Sequence, residues 1–575
     1  MFRLSCCALL FAAICPIAVG QVQKAQSDAK FFPPSTSAFV ETQAAKELIS
    51  TIFDHPLRGR IEELDAFKKA TKTQGYKNFM LGVLMVEGQV KMPWREALEA
   101  FLDQGACLGF EAKTQSAAII LHGKDSATMK LLRDKAIVFA RLDPKNKVGE
   151  REYRDITVYS LKGMHFATIG DRFVIANKPD FGKEVVDRIL DGGTSLAEDT
   201  DFINASKTRQ ANETAWGFVN IKTIRESGAA KNVFKDQINN PVAELMFGGI
   251  QSCLKETPYA AASFVAETDL AGLKIRMPFR SDWMPEPREY YFGAGGSGRG
   301  LAIPKVDETL FTLSTHRAFN EMWLWTGDLF NAEINDGFAQ ADAQLTTFFS
   351  GKDFGEDILG SLEPEVGFVA ARQDFTDKLP RPTIKVPSFA LIMNMKEPEK
   401  MTRDFRRIFQ SLVGFLNVVG AMEGNPQLEM DMEKNADGSQ MVTATYVPEE
   451  GEQKSTDAPL VFNFSPTVAF KDGQFVVSST TSLAKQILHA QKPAPAKIGD
   501  NTHARLYADS LQEILSDNRE QLIAQNMLED GNSREEAEAV IDLLMQFIGY
   551  YRDSTLRLGN SDDQLEAEFT IRLKP

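Results

Sequence analysis

The sequence predicts an α+β chain made of two related halves, each a mostly antiparallel twisted sheet with helices packed on one side. Three observations predict it. Strand-like runs bounded by Gly, Asp and Asn recur along most of the 575 residues. Amphipathic helical stretches separate them. One unit of strand, Gly/Asp turn, strand, polar break and helix is written twice, as GDRFVIANKPDFGKEVV at 170–186 and DGQFVVSSTTSLAKQIL at 472–488.

Residues 1–20 read as a secretory signal peptide. Arg3 gives a positive start, 4–19 is an apolar run, and Ala18-Val19-Gly20 offers small residues to a peptidase, so that Gln21 begins the mature chain. Ile14 before Cys15 argues against a lipoprotein signal. Export to the periplasm or the extracellular space is expected. No second apolar run reaches membrane-spanning length, so the mature chain is expected to be soluble, without a transmembrane segment. Cleavage leaves Cys107 and Cys253, which form either one disulfide or two inert thiols.

The N-terminal half covers 21–285. A polar stretch leads to FFPPSTSAFVET, a proline-rich entry into a strand at 38–40. Ala44, Leu48, Ile49 and Ile52 recur at helical spacing, as do Leu57, Ile61, Leu64 and Phe67 in the next segment. FMLGVLMVEG, at 79–88, is a continuous apolar run and is predicted as a buried strand. Pro93 then opens the helix WREALEAFLDQG. From 108 the runs LGFEA, SAAIILHG, AIVFA, YRDITVYSL, HFATIGDRFVIANK and AWGFVNI read as strands, with DSATMKLLRDKA and PDFGKEVVDRIL as helices between them.

The opening pair aligns Phe173-Val174 with Phe475-Val476, an offset of 302. Four weaker pairs follow in the same order: Gly109 with Gly367, Ser116 with Ser388, Ala215 with His503, and Ile275 with Ile571. Collinear matches with drifting offsets predict a duplicated architecture with loop insertions. A Gly/Pro-rich linker at 286–305 separates the halves, and the C-terminal half covers 306–575.

The entry FFPPSTSAFVET, the segment DHPLRGRIEEL and the hairpin HFATIGDRFVIANKPDFGKEVVDRIL together resemble exported bacterial proteins carrying the domain of unknown function 3352. The resemblance spans most of the mature chain and is looser in the second half. It implies export and this architecture, and no chemistry.

A net charge of −15 without a basic patch speaks against nucleic-acid partners. GAGGSGRG contains G-x-G-x-x-G at Gly293, Gly295 and Gly298, but RGLAIPK follows in place of the helix that a dinucleotide site needs. EKNADGSQ imitates a calcium loop at Glu433, Asn435, Asp437 and Gly438, yet Ala444 stands where a bidentate Glu is required, so a hairpin is predicted. His55, His122, His165, His316, His489 and His503 show no metal-ligand spacing. His55, ahead of Pro56, is expected to serve a local turn. Asp171 and Asp472 are read as turn residues, and Cys107 and Cys253 lie in apolar contexts that favour inert thiols. No catalytic residue, cofactor or metal is assigned. Ser533 and Glu536 form a capping box, and NEMWLWTGDLF at 320–330 is read as a buried helix. The 40 Phe against 10 Tyr and 5 Trp suit either a plain core or an apolar cavity. The expected function is a non-enzymatic binding or envelope-associated structural protein, its partner a protein or an apolar ligand. A hydrolase with a scattered site between the halves and a carrier of an apolar ligand are the alternatives.

Overall fold

The computed structural model describes residues 27–43, 45–142, 146–349, 351–375, 380–424, 426–448, 457–491, 493–561 and 563–574. The 1–20 signal segment and Gln21 lie outside the described residues. The fold is α+β, in two compact units. Among the described residues the first takes in 27–234 and 254–278, the second 235–253 and 279–574.

The first unit carries β1 (Ala38–Thr42), β2 (Gly105–Glu111), β3 (Ser116–His122), β4 (Gly149–Tyr153), β5 (Ile156–Leu161), β6 (Met164–Ile169), β7 (Arg172–Ala176), β8 (Ala215–Asn220), β9 (Tyr259–Glu267) and β10 (Leu270–Pro278). They pair antiparallel in the order β4-β5-β6-β7-β3-β2-β1-β8-β9-β10.

The second unit carries β11 (Thr309–His316), β12 (Leu362–Ala371), β13 (Ser388–Met395), β14 (Leu428–Lys434), β15 (Gln440–Tyr446), β16 (Thr467–Lys471), β17 (Gln474–Ser478), β18 (Thr502–Tyr507), β19 (Tyr551–Ser561) and β20 (Gln564–Leu573). Their order is β14-β15-β16-β17-β13-β12-β11-β18-β19-β20, again antiparallel throughout. The two halves thus share one strand order.

Register tests the five matches: Ala215 is equivalent to Thr502, one residue from His503, and Ile275 to Phe569, two residues from Ile571. Ile120 lies opposite Val174, and Ile392 opposite Val476, so two of the sequence matches fall on equivalent positions. The Gly109–Gly367 match slips by one inward step. Gly109 faces Ala118, whereas Gly367 faces Ile392. The repeated hairpins turn where Gly170, Asp472 and Gly473 take positive φ, a region open to Gly and tolerated by Asp.

A helix-covered core forms on one face of each sheet, and the second sheet also packs Val442, Val468, Phe470 and Phe475 of its other face under Phe405 and Phe409 of the helix Pro398–Glu423. Phe39, Cys107, Ile120, Val174 and Phe218 meet Phe181 and Val185 of the helix Pro179–Asp191. Val369, Ile392, Met441 and Val476 meet Leu483 and Ile487 of the helix Thr481–His489.

Two expected strands are helices. FMLGVLMVEG lies inside the helix Gln74–Val90, and AIVFA inside Ser126–Leu142. A continuous apolar run does not fix the period, and here the run is not even buried: Phe79, Leu84 and Met85 are exposed. The 286–305 stretch is also more than a connection. It forms short helical turns in which Tyr290, Tyr291 and Phe292 are buried, within the second unit. Its glycines permit close packing. A Cβ on Gly300 would meet Ser314 Oγ at 2.2 Å, and one on Gly298 the His316 ring at 2.7 Å.

Candidate functional site

The face turned away from the helices Pro179–Asp191 and Thr481–His489 is apolar, and part of it is exposed in each unit. In the first unit one cross-strand row runs Ile175, Ile119, Leu108, Val40, Gly217, Ala262, Ile275. In the second unit the equivalent row runs Val477, Leu391, Phe368, Leu313, Ala504, Leu556, Phe569. Seven strands at sheet spacing span about 29 Å. Val40 is 45% exposed, Leu391 41% and Phe569 42%. Such values are high for side chains hemmed in by cross-strand neighbours. Antiparallel sheets ordinarily turn polar residues to an uncovered face.

A helix roofs one end of the same face in each unit. Phe405 of the helix Pro398–Glu423 stacks on Phe475 at 4.4 Å. Arg133 of the helix Ser126–Leu142 sits over the Tyr159 ring, 5.7 Å from its centre. What remains is an apolar trough, roofed at one end and open along the row.

On the core side the first unit also holds a cavity of about 230 Å³ between β5–β7 and the helix Pro179–Asp191. Val158, Ala167, Val174, Ala176 and Val186 line it together with the polar Arg151, Tyr153, His165 and Lys183. The Tyr153 hydroxyl donates to Asp187 at 2.9 Å, and that carboxylate holds the phenol above its usual pKa. In the second unit the equivalent place is filled. Met441, opposite Ala469, occupies the position of Val158, and Ala484 that of Gly182.

A third cluster lies deeper. Asp28, Cys107 and His122 bring a carboxylate oxygen, a thiol sulfur and a ring nitrogen within 4.8 Å of one another. Cys107 and His122 share the inward face because Cys107 pairs with Ile120, one inward step from His122. The entry segment delivers Asp28 through the turn Asp28–Phe31. Burial, then the Asp28 and Glu41 carboxylates, push the Cys107 thiol well above its ordinary pKa. Sequence spacing gave no sign of this cluster. Only the β2–β3 register and the entry segment create it.

The other residues singled out by sequence lie apart. His55 caps its helix, its Nδ1 accepting from the Leu57 N–H at 3.0 Å. His489 contacts the Lys485 carbonyl at 2.8 Å. Asp437 sits in the β14–β15 turn, where Lys471 at 2.9 Å and the Ser439 N–H and hydroxyl hold its carboxyl well below the usual range. Cys253 is a buried free thiol, as is Cys107, and burial raises it to about 12. Burial also lowers His503. Ser533 and Glu536 make the expected capping box. In NEMWLWTGDLF, Met322, Leu329 and Phe330 are buried and Leu324 is exposed.

The second unit buries a polar network that sequence reasoning did not find. Arg288 grips Glu244 through Nε and a second guanidinium nitrogen at 2.7 and 2.8 Å and also reaches Ser252. The Tyr290 hydroxyl donates to the Glu244 carbonyl. Arg317 stacks on Tyr291 and donates to Leu245 and Asn501 oxygens. These bonds satisfy groups shielded from water, and they brace the 286–305 segment.

No family model matches the chain, and no curated protein matches it. Among solved structures, crystal form I of TP0453 is similar at 8% identity over 45% of this chain and 80% of that one, with a TM-score of 0.25. Crystal form III is similar at 7% identity over 44% and 81%, with a TM-score of 0.24. Among the described residues, no helix is long and apolar enough to cross a membrane.

Proposed function

We propose that the chain is an exported, non-enzymatic binding protein that carries an elongated apolar ligand, such as an acyl chain, on its open sheet faces. The observation that carries the reading is the pair of equivalent apolar rows that stay partly exposed in both halves, at Val40 and Leu108 in one and at Leu391, Leu556 and Phe569 in the other. Exposed apolar surface on this scale marks a binding site. A trough roofed at one end suits a long, narrow ligand better than a broad protein surface. The charge of −15 works against pairing of two copies through these faces. The signal-like 1–20 segment and the resemblance to domain-3352 proteins support export, and the shared strand order supports internal duplication. Neither thiol is activated as a nucleophile, which gives a hydrolase no support here.

The test is titration of the purified, delipidated chain with a fluorescent polyene fatty acid. The wild type is expected to bind. Leu108→Lys and Leu391→Lys place a charge in each row at exposed positions, and each should weaken binding at its own face about tenfold. Absence of binding by the wild type, or lysine variants that bind as it does, would overturn the reading. A native mass of two chains would point to a second copy as the occupant. A denatured mass beginning at Gln21 checks export.

A further inference from the structure

We propose that Asp28, Cys107 and His122 form a site for one zinc ion inside the first half. A thiolate, an imidazole and a carboxylate are the ligand types that zinc accepts together. Geometry supports this beyond proximity. His122 is buried at 6% exposure, and its Nε2 makes no hydrogen bond. Yet that nitrogen lies only 3.0 Å from Asp28 Oδ2. The two atoms are close without forming a hydrogen bond, and the Asp28 carboxylate also accepts from the Cys107 thiol, so the acid stands beside both other donors. Tetrahedral zinc holds nitrogen and oxygen ligands roughly 3.4 Å apart, and sulfur slightly farther. The three donor atoms, all within 4.8 Å of one another, are near enough to share one ion.

Asp28 is the half-buried member, at 21% side-chain exposure, so the ion enters past it. Cys107, at 3%, forms the floor. Charge also balances. A zinc ion, one thiolate and one carboxylate sum to zero, which a buried site requires. The neighbouring Glu41 carboxylate is already engaged by Arg209, Ser27 and the Asp28 N–H. Three protein ligands leave a fourth position for water or a ligand. The site is not repeated at the equivalent place of the second half, where Gly367 and Asn394 stand at the positions of Cys107 and His122.

The experiment uses the full chain stripped by chelation, then titrated with Co²⁺ as a spectroscopic probe and with Zn²⁺ in competition. One Co²⁺ per chain should bind with a near-ultraviolet thiolate-to-cobalt charge-transfer band, and Zn²⁺ should displace it. Cys107→Ser should abolish the band, whereas Cys253→Ser should keep it. His122→Gln should weaken Zn²⁺ binding roughly 100-fold or more. Co²⁺ bound without the band, a band lost on Cys253→Ser instead, or no stoichiometric uptake would overturn the proposal. Should Cys107→Ser fail to fold by circular dichroism, the wild-type band together with its survival in Cys253→Ser still decides.

Discussion

The two halves agree on their open faces and differ on their core sides. Facing outward, Leu108 and Phe368, or Val40 and Leu313, hold equivalent places in the two apolar rows. Facing inward, the first half keeps a cavity and a Cys/His/Asp cluster. The second fills the cavity with Met441 and adds a buried ion pair. The difference suggests that what the halves share serves the common ligand, and that the core sides are free to specialise. Small changes suffice, because Val to Met and Gly to Ala are enough to close a cavity between a sheet and its helix.

The largest effect expected from this contrast lies in the second half. Arg288 is 3% exposed and Glu244 0%. Removing one partner strands a charge in the core, so Glu244→Ala should cost about 3–5 kcal/mol. Hydrogen exchange resolved by segment is the measurement, since a chain of two compact units need not unfold in one step. Protection should fall across β11–β13 and persist across β1–β3. Equal loss in both halves would mean that their stabilities are coupled. The double change Glu244→Leu with Arg288→Met should recover much of the loss, because it leaves no buried charge unpaired.

The next comparison exchanges the side chains that decide the cavity. Met441→Ala empties a filled site and should cost the second half about 2–5 kcal/mol. Val158→Met in the first half extends into existing space, so its stability change should stay within about 1 kcal/mol. Exchange protection of the two repeat helices, Pro179–Asp191 and Thr481–His489, reads both. A large penalty for Val158→Met would show that the cavity is narrower than its volume of about 230 Å³ implies.

Many strands were legible as short apolar and β-branched runs between Gly, Asp and Asn, because both faces of each sheet are apolar; SAAIILH alternates in burial but not in polarity. The hairpins were legible because turns need particular backbone conformations, and Gly170 and Gly473 supply them. The helix Gln74–Val90 was not, because Phe79, Leu81 and Leu84 face solvent. Period reading assumes that apolar residues hide, and a molecule with an exposed apolar surface breaks the assumption. The zinc cluster was hidden for another reason. Cys107 and His122 are separated by a turn and converge only through strand pairing, while Asp28 arrives from the entry segment. Buried Arg288 was equally unreadable, since its acid lies on the helix Pro241–Glu256, and sequence order does not reveal which of 79 acids a given arginine meets.

A smaller effect than the loss of Glu244 is a dependence on pH placed at His316 in the second half. Burial, with Arg317 beside it, lowers the His316 pKa from 6.5 to about 4. Its Nδ1 is buried without a hydrogen-bond partner, so the folded state holds the ring neutral. The unfolded chain protonates this histidine near 6.5, and the folded chain does so only near 4. The unfolded state therefore binds more protons between those values. The stabilisation from a neutral His316 is complete above pH 6.5 and is lost as pH falls towards 4, by at most about 3 kcal/mol. Gln43, which follows Thr42 as His316 follows Thr315, stands at the equivalent first-half position and does not titrate. His316→Gln copies that residue into the second half. It should flatten the fall in β11–β12 exchange protection across this window while leaving β1–β2 unchanged. An unaltered slope would assign the acid sensitivity to other groups and remove this distinction between the halves.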